Sequence, residues 1–497
     1  MRTALLAAAA LLLGLASCKS DRQDAALQNG QCDTYVGVSV RFPAPETRAL
    51  PDDHNKLAGE WQGRDVIKTI KVYVATTSNG TTTISSDQFT EANFGGINNG
   101  ILAPNLAVEA KSGDKVKVYV VINDVNNKVT SILDQKANDA TTFDAEFQKA
   151  VATVAAIADV AKYDAEKDIV LMTNETAPVD MTIAPNVSKE DAIGGKANRV
   201  EVRVSRVASR AIVTVDDQVK KTIEIKRSFT DAKGVTTESK TATVTVKDIA
   251  YQVTGSALQF NVLEDRKDWK VAAPVYGFTP ASKDWTALAT EAKDKMLFSD
   301  AEGYKAAIVK ADNTLDNVKA ALGEETFSKF VLPVTHAEGK YMKGNTTMFE
   351  IKATFTVDQI DGAAADETVK TVFLGLSDGK FYSTKEKAEA MDVTVTGTDY
   401  QKKQSAKEYK NGEMYYYIWL NPDVPYEDLT KTISESPTVR NQVYHAHITG
   451  FGEMGVADKD EIKPDEPLET KKTHLSVQLQ VLPWTIHSYK VDLINRY

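Results

Sequence analysis

Cysteine is nearly missing from this chain: Cys18 and Cys32 are the only two among 497 residues. A framework of disulfides is thereby excluded, and stability has to come from packing. Basic blocks and arginine–aromatic stripes are missing too, and the formal net charge is −10, which argues against nucleic acid as a partner. Beyond residue 18 there is no apolar run long enough to cross a bilayer as a helix. No P-loop, dinucleotide fingerprint, GxSxG or HExxH stands in a usable context. The chain therefore reads as a non-enzyme with no cofactor and no metal site.

What is present begins with an export signal. Arg2 precedes an apolar run at residues 4–15, ALLAAAALLLGL, that is too short to span a membrane, and this ends in Leu15-Ala16-Ser17-Cys18. That is the pattern of a bacterial lipobox, in which Cys18 becomes the lipidated N-terminus; an ordinary secretory signal with a chance cysteine is the alternative. A lipid on Cys18 would leave Cys32 without a partner in the chain. The precursor would then touch a membrane only through its acyl chains.

Strand patterns fill the rest. Residues 35–42, YVGVSVRF, place Val36, Val38, Val40 and Phe42 on one face and Tyr35, Gly37, Ser39 and Arg41 on the other. Similar alternation recurs at TIKVYVAT, KVKVYVVIND, NRVEVRVS, TATVTVKDI, MFEIKATFTV and HLSVQLQVLPW. Strands half apolar and half polar predict antiparallel sandwiches, so the expected class is mainly β, two antiparallel β-sandwich domains with a few helices. One long helix is expected in residues 138–162, capped by Thr141 or Thr142, with Phe143, Phe147, Val151 and Val154 as its buried stripe.

The expected organisation is a signal peptide at 1–18, a propeptide at 19–48, and domains at 49–215 and 216–497, with the joint near Asp216. Residues 455–472 are charged, carry Pro464 and Pro467 and lack an apolar pattern, which predicts an exposed tether before a strand-rich tail at 473–497.

The two ends are complementary. Burying Val36, Val38, Val40 and Phe42 contributes about 6–12 kcal/mol at roughly 1.5–3 kcal/mol each, comparable with the net stability of a whole domain. Arg48 follows Pro43 and Pro45 and precedes Pro51, so its segment cannot pair as a strand and should be exposed to a protease. Cutting at Arg22 would leave the strand in place, Arg41 lies within it, and Arg64 sits at the start of the next one. Cleavage at Arg48–Ala49 would thus release a strand, although an ordinary loop arginine has the same local chemistry. The vacated groove needs an apolar strand, and the tail offers Leu475, Val477, Leu479 and Val481, then Tyr489, Val491 and Leu493. Supplied by the next molecule, such a tail makes a non-closing, head-to-tail contact and hence a filament.

The sequence also resembles the type V pilins, or fimbrillins, and among them the shaft subunits of minor fimbriae. The resemblance runs through the lipobox, AGEWQGRDVIKTIKVYV (58–74), VKVYVVIND (116–124), VSRVASRAIV (204–213), KFVLPVTH (329–336) and KGNTTMFEIKATF (343–355). It continues in YYYIWLNP (415–422), SPTVRNQVYHAHI (436–448) and VLPWTIHSYKVDL (481–493). It implies two transthyretin-like or Greek-key sandwiches, lipidation at Cys18 and cleavage at Arg48–Ala49 by an Arg-specific surface protease. It further implies loss of residues 35–42 and polymerisation by donor-strand exchange from residues near 475 onward. The implied partners are other copies of the chain, anchor and tip fimbrial proteins, and host or bacterial adhesion targets. The implied location is a surface fimbrium, reached from a lipoprotein at the outer membrane. The acidic tether is one departure from the pattern, since a longer proline-rich insert is expected there.

His445 and His447 share a strand face and could supply two metal positions, but no third or fourth ligand is visible, and a solvated polar face is the simpler reading. The aromatic run YYYIW could stack a sugar, though a core role fits a strand better. Trp61, Trp269, Trp285, Trp419 and Trp484 read as core or sheet-edge residues. A tip or anchor component, a monomeric ligand-binding lipoprotein and a surface hydrolase are the competing functions.

Overall fold

In the computed structural model, the described residues are 32–42, 57–58, 65–93, 97–98, 101–102, 106–137, 142–164, 167–230, 233–263, 278–299, 303–324, 328–366, 368–390, 392–394, 401–424, 431–468, 475–483 and 487–488. They are mainly β, with short helices between strands.

The first part of the chain contributes β1 (Thr34–Arg41), β2 (Thr69–Ser78), β3 (Thr81–Thr90), β4 (Ile101–Leu102), β5 (Ala107–Ala110), β6 (Gly113–Ile122), β7 (Met172–Asn174) and β8 (Arg199–Arg206). These belong to one sheet in the order β3-β2-β6-β7-β8-β1-β4, with β5 also paired to β1. Alternating valines fold β2 back on β3 at Asn79-Gly80, where both residues have positive φ, +48° and +77°, as a tight hairpin with right-handed strand twist requires. Three helices interrupt the strands: α1 (Thr130–Lys136), α2 (Phe143–Lys149) and α3 (Lys189–Ile193).

The inward residues of this sheet share one core: Val36, Val38 and Val40 pack with Ile70, Val72, Val74, Val116, Val118, Val120, Val202 and Val204. The opposite face of β2 and β6 is also buried. Tyr73 and Tyr119 meet Phe143 and Phe147 of α2, with Tyr119–Phe147 centroids 4.7 Å apart. These strands are therefore covered on both sides, where alternation predicts one.

The second part contributes β9 (Ser209–Lys220), β10 (Thr222–Thr230), β11 (Thr236–Thr254), β12 (Ile308–Lys310), β13 (Ser328–Val331), β14 (Met348–Val357), β15 (Glu413–Trp419), β16 (Gln442–Phe451) and β17 (Leu475–Pro483). One sheet runs β12-β9-β16-β17 with β13 beside β9; another runs β10-β11-β14-β15. A shared core of Val213, Val215, Tyr444 and Ala446 from the first and Val244, Tyr251, Phe349, Ile351 and Ile418 from the second joins them.

Several expectations are corrected. Pairing is mostly antiparallel, but β1 with β8, β9 with β12 and β9 with β16 are parallel. The long helix stops at Lys149. Ala150 turns extended, and Val151–Thr153 pairs instead with Gln259–Asn261, leaving Val151 at 42% exposure. A backbone partner outweighs the weak helical preference of Val-Ala-Thr-Val. The joint expected near Asp216 falls inside the unbroken β9, and Ile212 and Val443 share a core with Phe143 and Phe147. The expected tether is packed as far as Leu468: Val456 and Tyr415 exchange backbone hydrogen bonds of 2.9 Å, Trp285 Nε1 donates to the Ile462 carbonyl at 2.9 Å, and Leu468 is buried.

Candidate functional site

The candidate site is the slot that holds β1. Along one edge β1 runs parallel to β8, from Gly37↔Arg199 to Arg41↔Arg203. Along the other it is antiparallel to β5, from Thr34↔Ala110 to Gly37↔Ala107, and then to β4 at Val40↔Leu102. It is an interior strand, so its removal would leave two unpaired edges and an open apolar core between them. Val36, Val38 and Val40 are fully buried there, and Phe42 packs against the same core, partly buried.

The polar face of β1 is contacted as closely as the apolar face. Tyr35 Oη donates to Glu109 at 3.0 Å. Arg199 Nε donates to Ser39 Oγ at 2.9 Å. Arg41 grips both oxygens of Glu201 at 2.5 and 2.8 Å, a pairing that holds the Glu201 carboxyl below its ordinary range. Gly37 lies directly beneath α3: a Cβ built there would come within 2.6 Å of the Ala192 carbonyl carbon. Asn198, in the left-handed region at φ +50°, donates from Nδ2 to Thr34 Oγ1, the Tyr35 carbonyl and the Ala184 carbonyl at 2.8, 3.1 and 2.8 Å. The residues missed from the sequence are Gly37, Asn198 and the α3 segment. One signal was available: a glycine inside an alternating valine strand marks a close backbone approach.

Of the expected tail residues, Leu475, Val477, Leu479 and Val481 stand in β17, in register with Phe451, Ile448, Ala446 and Tyr444 of this chain's own β16. Tyr489, Val491 and Leu493 lie outside the described residues, as do Cys18, Arg48 and Ala49. Cys32 is buried and held in a disulfide, whereas a lipid on Cys18 is expected to leave it without a partner.

The histidine face is corrected as well. His445 and His447 are not solvated but fully buried, both within 2.7 Å of Thr214 Oγ1 on the adjacent parallel strand, with His447 Nε2 3.2 Å from Asp216. Thr214 and Asp216 stand on β9, paired to β16 through a long loop of sequence, so no local pattern announces them. Burial pulls the His447 pKa down, and Asp216 opposes that shift. Among the described residues no group of three or more His, Cys, Asp and Glu could hold a metal ion. Tyr416, Tyr417, Ile418 and Trp419 are buried in the core, as a strand-borne aromatic run should be, and Trp285 is buried too.

The C-terminal stretch 407–490, which includes β15, β16 and β17, matches the family model "Major fimbrial subunit protein type IV, Fimbrillin, C-terminal". Across 98% of both chains the sequence is 29% identical to a minor fimbrium subunit, Mfa1, of Porphyromonas gingivalis. The chain is thus similar to a fimbrial subunit along nearly its whole length, and to the fimbrillins in its C-terminal stretch. Among solved structures, a fimbrilin from Porphyromonas gingivalis W83 aligns with 91% of this chain and 99% of its own at a TM-score of 0.41 and 14% identity. The tip fimbrial protein Mfa3 of the same species aligns with 90% and 99% at a TM-score of 0.35 and 10% identity.

Proposed function

We propose that this chain is a structural subunit of a cell-surface fimbrium and that it builds the shaft. The precursor is exported with its lipobox, carries a diacylglycerol on Cys18 at the outer membrane, and is cut at Arg48–Ala49 by an Arg-specific surface protease. Residues 35–42 then leave, and the tail of the next copy fills the slot, so that copies join head to tail. Tip and anchor proteins are its further partners in a fimbrium that contacts host or bacterial surfaces.

The single observation that carries this reading is the place of β1. It is an interior strand whose three valines are fully buried, yet it belongs to the stretch before the arginine that proline-rich chemistry marks for cutting. A strand in that position can be lost only if another takes its hydrogen bonds and its core. β17 pairs with β16 and His487–Ser488 pair with Leu57–Ala58 in this chain, so the segment we propose for insertion is the end of the tail, with Tyr489, Val491 and Leu493 as its apolar members.

Intact mass and N-terminal sequence of the protein sheared from cells test the proposal. A lipid-free start at Ala49 in multimers that survive SDS until heated supports it, as does loss of those multimers in Arg48→Ala. A lipidated monomer that keeps Cys18 would instead indicate an anchor or a ligand-binding lipoprotein.

A further inference from the structure

We propose that residues 184–199, built around α3, form a clasp that locks β1 in its slot, and that this clasp must open before a strand from a second copy can enter. The inference rests on the strand-replacement reading and adds the step that keeps the precursor from assembling. Gly37 is the residue that lets the clasp close.

The clasp touches β1 mainly through backbone. Tyr35 N donates to the Val187 carbonyl at 3.2 Å, Gly37 N to the Asn198 carbonyl at 2.8 Å, and Thr34 Oγ1 to the Ala184 carbonyl at 2.8 Å. Asn198 knits the two together through Thr34 Oγ1 and the Tyr35 carbonyl. At the centre the Ala192 carbonyl sits where a side chain on residue 37 would have to go. That neighbour is backbone, so a Cβ cannot be accommodated by a rotamer change; α3 itself has to move.

Every replacement strand meets this obstacle unless it carries glycine at the same place. Residues 473–497 contain no glycine. Whatever register the tail adopts, a side chain therefore projects toward Ala192 or the clasp stands away from the slot. The segment is suited to move. Apart from Ala192, the residues from Ser188 to Lys196 are exposed or half-buried, and the short helix is flanked by left-handed turns at Asn186 and Asn198, φ +59° and +50°. Its own backbone bonds, Ala192 N to the Ser188 carbonyl and Lys196 N to the Asp191 carbonyl at 3.0 Å each, provide the readout.

Hydrogen exchange on the full-length precursor, cut after Arg48 and mixed with a synthetic peptide of residues 473–497, tests the proposal. The expected result is departure of β1, stoichiometric peptide binding, and at least tenfold faster exchange at Ala192 and Lys196. Peptides carrying Lys490→Gly or Asp492→Gly, the positions that alternate with Tyr489, Val491 and Leu493, test the glycine requirement: one of them should bind with the clasp still protected. In precursor carrying Gly37→Ala, β1 should leave at least tenfold faster after the cut. If the peptide displaces β1 while exchange across 184–199 is unchanged, the clasp is refuted and strand replacement stands. If β1 stays in place against the peptide in both the parent and Gly37→Ala proteins, strand replacement itself falls. Should Gly37→Ala fail to fold, the exchange arm alone decides.

Discussion

Arg41 and Glu201 face each other across the parallel seam of β1 and β8, joined by two hydrogen bonds of 2.5 and 2.8 Å. The pair couples a strand expected to leave with one expected to stay. It is exposed to solvent, so salt screens it and its effect on stability is small. Arg41→Gln should lower the thermal midpoint of the precursor slightly at low ionic strength and not measurably at ~1 M NaCl. A midpoint loss that persists in high salt would mean that the arginine acts through packing of its stem.

The apolar side of β1 should matter far more. Val38 is fully buried, and Val38→Ala removes two methyl groups and leaves a cavity, an expected cost of about 2–3 kcal/mol in the precursor. In assembled material from which β1 has gone, the same substitution should cost nothing. Denaturant curves on the uncut and assembled forms separate the two cases. An equal loss in both would show that β1 is retained.

Truncation distinguishes the two halves of the tail. A chain ending at Pro483 keeps all of β17 and should fold as a monomer with a near-native circular dichroism spectrum, while forming no multimers. A chain ending at His474 loses β17 and exposes β16 along the register from Gln442 to Phe451. It should be insoluble or melt markedly lower. Multimers from the chain ending at Pro483 would return the donor role to Leu475, Val477, Leu479 and Val481.

Two buried histidines set a pH dependence. Burial pulls both His336 and His447 below the ordinary 6.5, with Asp216, Asp312 and Asp217 partly opposing this at His447. The unfolded chain therefore takes up these protons at higher pH than the folded one. Their stabilisation is complete above about pH 6.5 and falls as the pH drops from there through the folded values. Glu350 acts in the opposite sense: burial raises its pKa above 4.5, so the folded form gains a proton first as acidity increases. Thermal melts from about pH 7.5 to 5 should show a falling midpoint, and His447→Gln should flatten that slope. An unchanged slope in His447→Gln would remove His447 from the account.

The strand at the centre of this site was legible because its chemistry is local. Val36, Val38 and Val40 alternate with polar neighbours, and a period of two places them on one buried face whatever lies beside them. What lies beside them was not legible. The parallel partner β8 enters after a long stretch of intervening sequence, and alternation says nothing about which strand is adjacent or in which direction it runs. The same limit hid the burial of His445 and His447, which depends on Thr214 and Asp216 across another parallel seam. The helix expected over 138–162 overran because Val151–Thr153 suits either state until Gln259–Asn261 is there to pair with it. The charged stretch 455–468 misled in the other direction: few apolar residues, Val456, Ile462 and Leu468, are enough to dock it. Gly37 was visible as a residue but not as a function, since what it makes room for is the carbonyl of Ala192.

The cis pairing of β17 has a mechanical consequence. When the tail beyond Pro483 is held by a neighbour, tension on a filament enters each subunit at the C-terminal end of β17. It passes to β16 through the register from Pro483↔Gln442 to Leu475↔Phe451, then to the parallel strand β9, and along the chain through residues 207–208 to β8 at the wall of the slot. A pull along the line of β17 loads that whole ladder in shear, so its bonds have to fail together. A pull across it peels them singly from Pro483. The subunit should therefore resist stretching along the filament far better than lateral bending at the joint between copies, and a shaft built from it would be stiff in tension and compliant at its junctions.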